Sequence, residues 1–365
     1  MHFNTSKGKF LDAVQIAERV VGKKESLPVL SCVLLDVGKE LSVRATNLES
    51  GIEIRILGEV IEKGTVAVPV AVLSQTLRST GSDKVTLKTD SNNLILETRG
   101  TKTVIKAVPH TEFPQITTQV GKRKLQLERT PFLKALQSVS YAASSSMIRP
   151  ELGSVSVALN AKKLIAAATD SFRLAEKTVM NAGPDGESEI LVPLKHVLEL
   201  THILERIADE KITVSAEDAQ MTVLADNMEF ISRVVDATFP NYKEIIPKTF
   251  TTEATLLKND LTEVLRKARV FSGTEQRVGL HVYPKKKVFD LTAQSQAIGE
   301  MSDSIDAAVS GEDIDINFHI GYIADCLPII ESDSVTLGFS GAGKPLVIRG
   351  VSDQSFLYLV MPLNR

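Results

Sequence analysis

A chain of 365 residues, 43% of them hydrophobic and 24% charged, carries enough apolar material for sizeable cores, and its length suggests two or three domains rather than one. No apolar run reaches the roughly 18 residues of a membrane-spanning helix, and Met1-His2-Phe3-Asn4 lacks the basic stretch and apolar core of a secretory signal, so a cytoplasmic protein is expected. A formal charge of −3 excludes attraction of a polyanion by bulk charge, so any affinity for phosphates must come from how the charge is distributed.

In chain order, residues 7–21 place Phe10, Ala13, Val14, Ala17, Val20 and Val21 on one helical face, opposite Asp12, Gln15 and Arg19. Alternating strand patterns follow at 33–37, 41–45 and 52–57, then a second helix at 70–78. Strands at 85–88 and 94–98 flank the turn Asp90-Ser91-Asn92-Asn93, and 103–108 is the last strand of this series. The order then recurs, with a helix at 131–143, strands at 155–159, 164–168 and 174–179, a helix at 194–207, and strands at 212–215, 221–225 and 230–235. It recurs again with helices at 257–271 and 320–330 and strands at 278–282, 288–293, 335–339, 346–350 and 356–361.

Short cues mark the same places each time. Ala45-Thr46-Asn47-Leu48-Glu49 ends one strand, Ala168-Thr169-Asp170 with Arg173-Leu174-Ala175 ends another, and Leu291-Thr292-Ala293-Gln294 occupies the matching position in the third series. Strand runs into helix at Val68-Pro69, Val192-Pro193 and Asn317-Phe318, and the series close at Phe113-Pro114, Phe239-Pro240 and Met361-Pro362. A period of roughly 120 residues far exceeds a solenoid unit and suits a self-sufficient domain. The expected architecture is α+β: three tandem similar domains at 1–120, 121–248 and 249–365, each with two helices packed on antiparallel sheets, joined by linkers near 115–124 and 247–252.

Candidate catalytic and metal motifs fail on their surroundings. Gly338-Phe339-Ser340-Gly341-Ala342-Gly343-Lys344 has phosphate-loop spacing, but Pro345 stands where a hydroxyl must hold Mg²⁺ and a strand follows where a helix is required, which predicts a glycine-rich hairpin turn. His196 and His202 lie six apart, off the metal spacing, and are expected to be solvated or capping. Glu312-Asp313-Ile314-Asp315 lacks the glycine and spacing of a calcium loop and reads as a charged strand edge, and Ser144-Ser145-Ser146 shows no nucleophile elbow. Cys32 and Cys326 have no metal or redox spacing and are expected to be buried and reduced. Neither an enzyme nor a bound metal or cofactor is expected.

Four cues in order, Leu27-Pro28-Val29-Leu30, Ala168-Thr169-Asp170-Ser171-Phe172-Arg173-Leu174-Ala175, Phe239-Pro240-Asn241-Tyr242-Lys243-Glu244-Ile245-Ile246-Pro247-Lys248 and Val360-Met361-Pro362-Leu363, give the whole chain a family likeness. It resembles the bacterial DNA polymerase III β subunit, the replicative sliding clamp. The resemblance implies a DNA clamp fold and a head-to-tail homodimer whose six domains close a ring, with helices lining the hole and sheets forming the outer wall. Such a ring encircles double-stranded DNA without reading its sequence. It tethers the DNA polymerase III α subunit, the clamp loader, and other polymerases and repair proteins through their short linear motifs. The competing reading is a peptide-binding adaptor that never encircles DNA.

The resemblance also assigns residues. For DNA it points first to Lys24 and Arg149, in loops at the hole, and then to Lys7, Lys9, Lys134, Lys195, Arg206, Lys258 and Arg266 outside the apolar helical stripes. Phosphate contacts of this kind supply affinity without sequence preference. For the partner-peptide pocket it points to Leu152, Thr169, Ser171, Phe172, Arg173, Leu174, Pro240, Ile245, Leu359, Met361, Pro362 and Leu363. These types build an apolar cleft for aliphatic and aromatic anchors, with Arg173 or backbone groups expected to orient the peptide, although Leu174 and Ile245 also suit a plain core. Phe172 stands where the family often has His. Glu244 stands where a basic residue can occur, so acidic peptides are expected to bind less well. The dimer interface is expected to pair Thr103 and Ile105 with Val270 and Phe271.

Overall fold

Six amphipathic helices recur among the described residues: α1 Lys7–Val20, α2 Val70–Ser79, α3 Arg129–Ser140, α4 Leu194–Arg206, α5 Lys258–Phe271 and α6 Ile320–Cys326. The computed structural model describes residues 1–22, 27–115, 124–146, 148–160, 163–180, 188–217 and 219–363. The apolar stripes read from the sequence are the buried faces: α1 buries Phe10, Ala13, Val14, Ile16, Ala17 and Val20, and α5 buries Leu261, Val264, Leu265 and Ala268. The threefold repeat extends to single hydrogen bonds. The first amide of α1, α3 and α5 (Lys7, Arg129 and Lys258) donates to the carbonyl of Asp83, Glu210 and Asp333 at 2.9, 2.8 and 2.9 Å, satisfying one of the amides that a helix start leaves without a partner.

Two compact units result, Met1–Leu133 with Lys195–Asp236, and Lys134–Leu194 with Ala237–Arg365, so the middle third of the chain contributes to both. The first unit holds a five-stranded sheet in the order Glu59–Glu62, His2–Ser6, Lys84–Asp90, Asn93–Thr98 and Thr101–Lys106. Its eight-stranded sheet runs Lys124–Glu128, Lys211–Glu217, Gln220–Leu224, Met228–Arg233, Ser50–Ile56, Leu41–Thr46, Cys32–Val37 and Gly64–Pro69. The second unit has a nine-stranded sheet, Ser188–Pro193, Ser154–Asn160, Lys163–Thr169, Arg173–Met180, Phe356–Val360, Leu346–Gly350, Ser334–Phe339, Thr252–Leu257 and Ala307–Gly311. A four-stranded sheet, Gly299–Ser304, Val288–Ser295, Arg277–Tyr283 and Ile314–His319, completes it. Adjoining thirds are fused by antiparallel pairing of Met228–Arg233 with Ser50–Ile56 and of Arg173–Met180 with Phe356–Val360. These ladders satisfy backbone groups that would otherwise lie along exposed edges.

The sequence reading misses the strands His2–Ser6, Glu59–Glu62, Lys124–Glu128, Thr252–Leu257, Gly299–Ser304 and Ala307–Gly311. Glu59–Glu62, Gly299–Ser304 and Ala307–Gly311 are edge strands with few buried side chains, so they carry no clean alternation. Helix α6 stops at Cys326, short of the expected 330, because Pro328 has no amide to continue the ladder. The stretch from Gly338 to Lys344 is a hairpin turn, with Gly341 and Gly343 at φ 111° and 73°, where side chains are disfavoured. Cys32 and Cys326 are buried free thiols.

His196 corrects an expectation, since it is buried rather than solvated. Its Nδ1 lies 2.8 Å from Ser232 Oγ, and burial pushes its pKa down. One turn on, Glu199 is also buried and accepts a 2.8 Å hydrogen bond from Ser50 Oγ. Burial raises its pKa above the ordinary 4.5, so the folded chain holds this proton more tightly than the unfolded chain. The contribution of Glu199 to stability is therefore fully present below 4.5 and is lost as the pH climbs through the raised folded value. Glu199→Gln keeps an acceptor for Ser50 and should raise the melting temperature at neutral pH while changing it little in acid. A lower melting temperature at neutral pH would contradict this account.

Candidate functional site

The repeated Thr-Asn/Asp cue is a turn built from its own side chains. Thr169 Oγ1 donates to the carbonyl of Arg173 at 2.7 Å, the amide of Ser171 donates to Thr169 Oγ1 at 3.1 Å, and the amides of Phe172 and Arg173 donate to Asp170 Oδ1 at 2.9 and 3.0 Å. Ser171 takes φ 80° at the apex. The cue at Thr46 forms the same turn, with Leu48 at φ 76° and Asn47 Oδ1 accepting from the amides of Glu49 and Ser50 at 2.9 and 2.7 Å. Short side chains that bond the backbone two and three residues on can drive this loop locally. The third cue differs, because Leu291-Thr292-Ala293-Gln294 lies inside the strand Val288–Ser295.

Beside the Thr169 turn lies a cavity of about 210 Å³, lined by Arg149, Leu152, Thr169, Ser171, Arg173, Leu174, Pro240, Asn241, Tyr242, Ile245, Leu359 and Met361. Nine of the twelve residues assigned by resemblance stand on this wall. Phe172, Pro362 and Leu363 do not: the Phe172 side chain is exposed, while its carbonyl accepts the Met361 amide at 2.8 Å. The Leu363 amide donates to Asn317 at 2.8 Å, which ties the chain end down and sets Met361 in the wall. Leu174 is buried to the level of a core residue, whereas Ile245 is half exposed.

Asn241 and Tyr242 line the cavity although the sequence reading assigned them no role. Tyr242 buries its ring edge-on to Phe239, centroids 5.8 Å apart, and donates its hydroxyl to Glu176 Oε2 at 2.5 Å. Their signal was the aromatic spacing of the Phe239 to Tyr242 motif. Arg149, expected at DNA, lines this cavity and pairs with Glu151 at 2.9 Å, with its side chain still exposed. Glu244 is absent from the wall, and its Oε1 accepts from Asn241 Nδ2 at 2.6 Å. Arg149 thus stands on the wall itself, while the Glu244 carboxylate lies one hydrogen bond behind the wall residue Asn241.

The remaining basic candidates fall into two groups. Lys7, Lys9, Lys195, Arg206 and Arg266 reach the surface of their helices, with Lys195 Nζ 3.8 Å from Glu199 Oε1 one turn on. In the first unit, Arg206 donates to Gln15 Oε1 at 2.9 Å, joining α4 to α1. His202 there has its pKa lowered by burial and then by the charges of Arg19 and Arg206, with Glu205 opposing them. Other cations are engaged: Lys134 pairs with Glu331 at 2.7 Å, and Lys258 Nζ donates to the carbonyl of Ile330 at 2.6 Å. Lys258 therefore acts as a helix-end fastener rather than an open phosphate contact. Lys24 lies outside the described residues.

The strand Thr101–Lys106 is an edge of its sheet. Its alternation places Val104 outward at 56% exposure and Ile105 inward at 3%, with Thr103 half-buried, so Ile105 serves the protomer's own core instead of an interface. On α5, Val270 is exposed and Phe271 half-buried. The strand Gly299–Ser304 is an edge of the four-stranded sheet, preceded by the exposed Ile298.

Comparison with known proteins gives matches along nearly the whole chain. The N-terminal, central and C-terminal domain families of the DNA polymerase III beta subunit match residues 1–117, 126–241 and 243–364. The beta sliding clamps of Pseudomonas putida and Streptococcus pneumoniae are 26% and 25% identical, covering 100% of this chain and 100% and 99% of theirs. The crystal structure of the Thermotoga maritima DNA polymerase III beta subunit superimposes with a TM-score of 0.95 at 26% identity, covering 100% of this chain and 99% of that one. The Bacillus subtilis DNA polymerase sliding clamp shares the fold, with a TM-score of 0.93 at 21% identity over 100% and 99% of the two chains.

Proposed function

The chain belongs to the family of bacterial DNA polymerase III beta subunits, and we propose that it acts as a sliding clamp, the non-catalytic processivity factor of DNA replication. The observation that carries this reading is the match of all three domain families, in order, across the chain. Two copies join head to tail into a closed ring of six domains, with a cyclic heterologous interface between them. The edge strands Thr101–Lys106 and Gly299–Ser304 supply unpaired backbone suited to such a junction.

The ring holds double-stranded DNA by enclosure. Basic side chains such as Lys9, Arg206 and Arg266 meet phosphates, whose attraction is independent of sequence and weakens with salt. Weak local contacts permit sliding, while the closed ring prevents escape. The cavity beside Thr169 takes apolar anchors of short linear motifs from the polymerase III α subunit, the clamp loader and other partners. The protein works in the cytoplasm, and no helix among the described residues is long and apolar enough to cross a membrane.

Retention on nicked circular DNA, measured before and after linearisation at physiological salt, tests the reading. A ring loaded on circles stays bound and runs off once free ends are made. Equal retention on both forms would favour an adaptor that does not encircle DNA.

A further inference from the structure

The turn that forms one wall of the pocket is fastened from outside by a single long-range ion pair. Arg173 closes this turn, and its side chain is only 14% exposed. Its Nε bonds Asp170 Oδ2 at 2.9 Å, which is internal to the turn. Its Nη1 donates to Asp325 Oδ2 at 2.6 Å, and Asp325 lies on α6, 152 residues away. The guanidinium also stands 4.6 Å from the ring centre of Tyr322 on the same helix and 5.6 Å from that of Tyr141. Two nitrogens are bonded and two aromatic rings lie beside the group, so little of it remains to orient a peptide.

The first unit repeats the arrangement with different residues. Ser50 closes the equivalent turn and donates to Glu199 Oε2 at 2.8 Å, and Glu199 sits five residues into α4 as Asp325 sits five residues into α6. The neighbouring backbone bonds also correspond: Arg233 donates to Glu49 and Met361 to Phe172, both at 2.8 Å. A carboxylate from the second helix of the next third of the chain thus fastens the last residue of the turn twice. At the second place the fastened turn lines a cavity and carries Met361 with it.

We propose, resting on the pocket reading above, that Asp325 is a positioning residue of the peptide site: through Arg173 it holds the Thr169 turn and Met361 in the arrangement that receives apolar anchors. Arg173 acts as the pin and not as a peptide contact. Because Asp325 itself is 45% exposed and Asp170 still faces Arg173, its removal leaves a foldable chain. A wall that must be ordered at each encounter binds more weakly and releases faster.

The test uses the full-length protein and a fluorescent peptide with leucine and phenylalanine anchors, chosen for binding to the wild type. Asp325→Ala should weaken it about tenfold, chiefly through faster release, and Asp325→Glu should recover most of that loss. The decisive readout is the double variant, because Asp325→Ala should add nothing in an Arg173→Ala background if it works only through that side chain. A core variant such as Val335→Ala, lowering the melting temperature at least as much, should keep its affinity. Unchanged binding by Asp325→Ala, or effects that add in the double variant, would overturn the proposal and leave the pocket reading intact. Binding that survives Met361→Ala, or no peptide found at all, would instead count against the pocket itself.

Discussion

Val104→Asp should sediment as a monomer at concentrations where the wild type is a dimer, and should leave nicked circular DNA as quickly as linear DNA. Val104 lies at the centre of the edge strand Thr101–Lys106, outward-facing, between Thr103 and the buried Ile105. If the second copy adds a strand here, the valine is covered and its backbone neighbours are paired. Aspartate at that position brings an unpaired charge into the junction, a loss of about 3 kcal/mol or more at each interface. The ring has two such junctions, so a moderate loss at each removes the closed form. The protomer should melt as before, since the side chain touches little within its own chain. Ile105→Asp should behave oppositely and unfold the five-stranded sheet, because that residue is 3% exposed. Analytical ultracentrifugation and melting of the two variants side by side test the register directly. A dimeric Val104→Asp would move the interface elsewhere.

Met361→Ala should weaken an apolar partner peptide by about 1–3 kcal/mol, the scale of one buried anchor contact. The amide of Met361 still donates to Phe172, so the chain end stays docked and the loss is confined to the wall of the cavity. Met361→Leu, similar in volume, should lose far less. Melting should shift little, since Met361 is only partly buried. Calorimetry showing equal affinity for the alanine variant would remove Met361 from the site.

These two residues also show how unevenly the molecule could be read in advance. Met361 belonged to a motif quoted from the sequence and stands in the cavity wall. The resemblance placed Thr103 and Ile105 at the interface without fixing which side chain of the strand faces out; Val104 does and Ile105 does not, because a strand with apolar residues at adjacent positions does not state which one points to the core. Arg149 was read as a DNA contact from its loop, and the folded loop also sets it on the cavity wall. Lys134 and Lys258 resembled solvated cations until their partners, Glu331 and the Ile330 carbonyl, came from nearly 200 and 72 residues away. His196 looked like a surface residue by spacing, while its helix buries a broader face than the apolar stripe alone implies.

What the amino-acid order determined by itself was the threefold recurrence, the position of the helices and the chemistry of the Thr-Asn/Asp turns. Each depends on spacing within a few residues or on side chains that bond the nearby backbone, so the signal is local. Only the tertiary structure decided which strands of adjoining thirds fuse, which cations are already spent, and that Arg173 is a fastener held by Asp325. Those outcomes turn on register and on contacts between residues far apart in the chain, and periodicity carries no record of them.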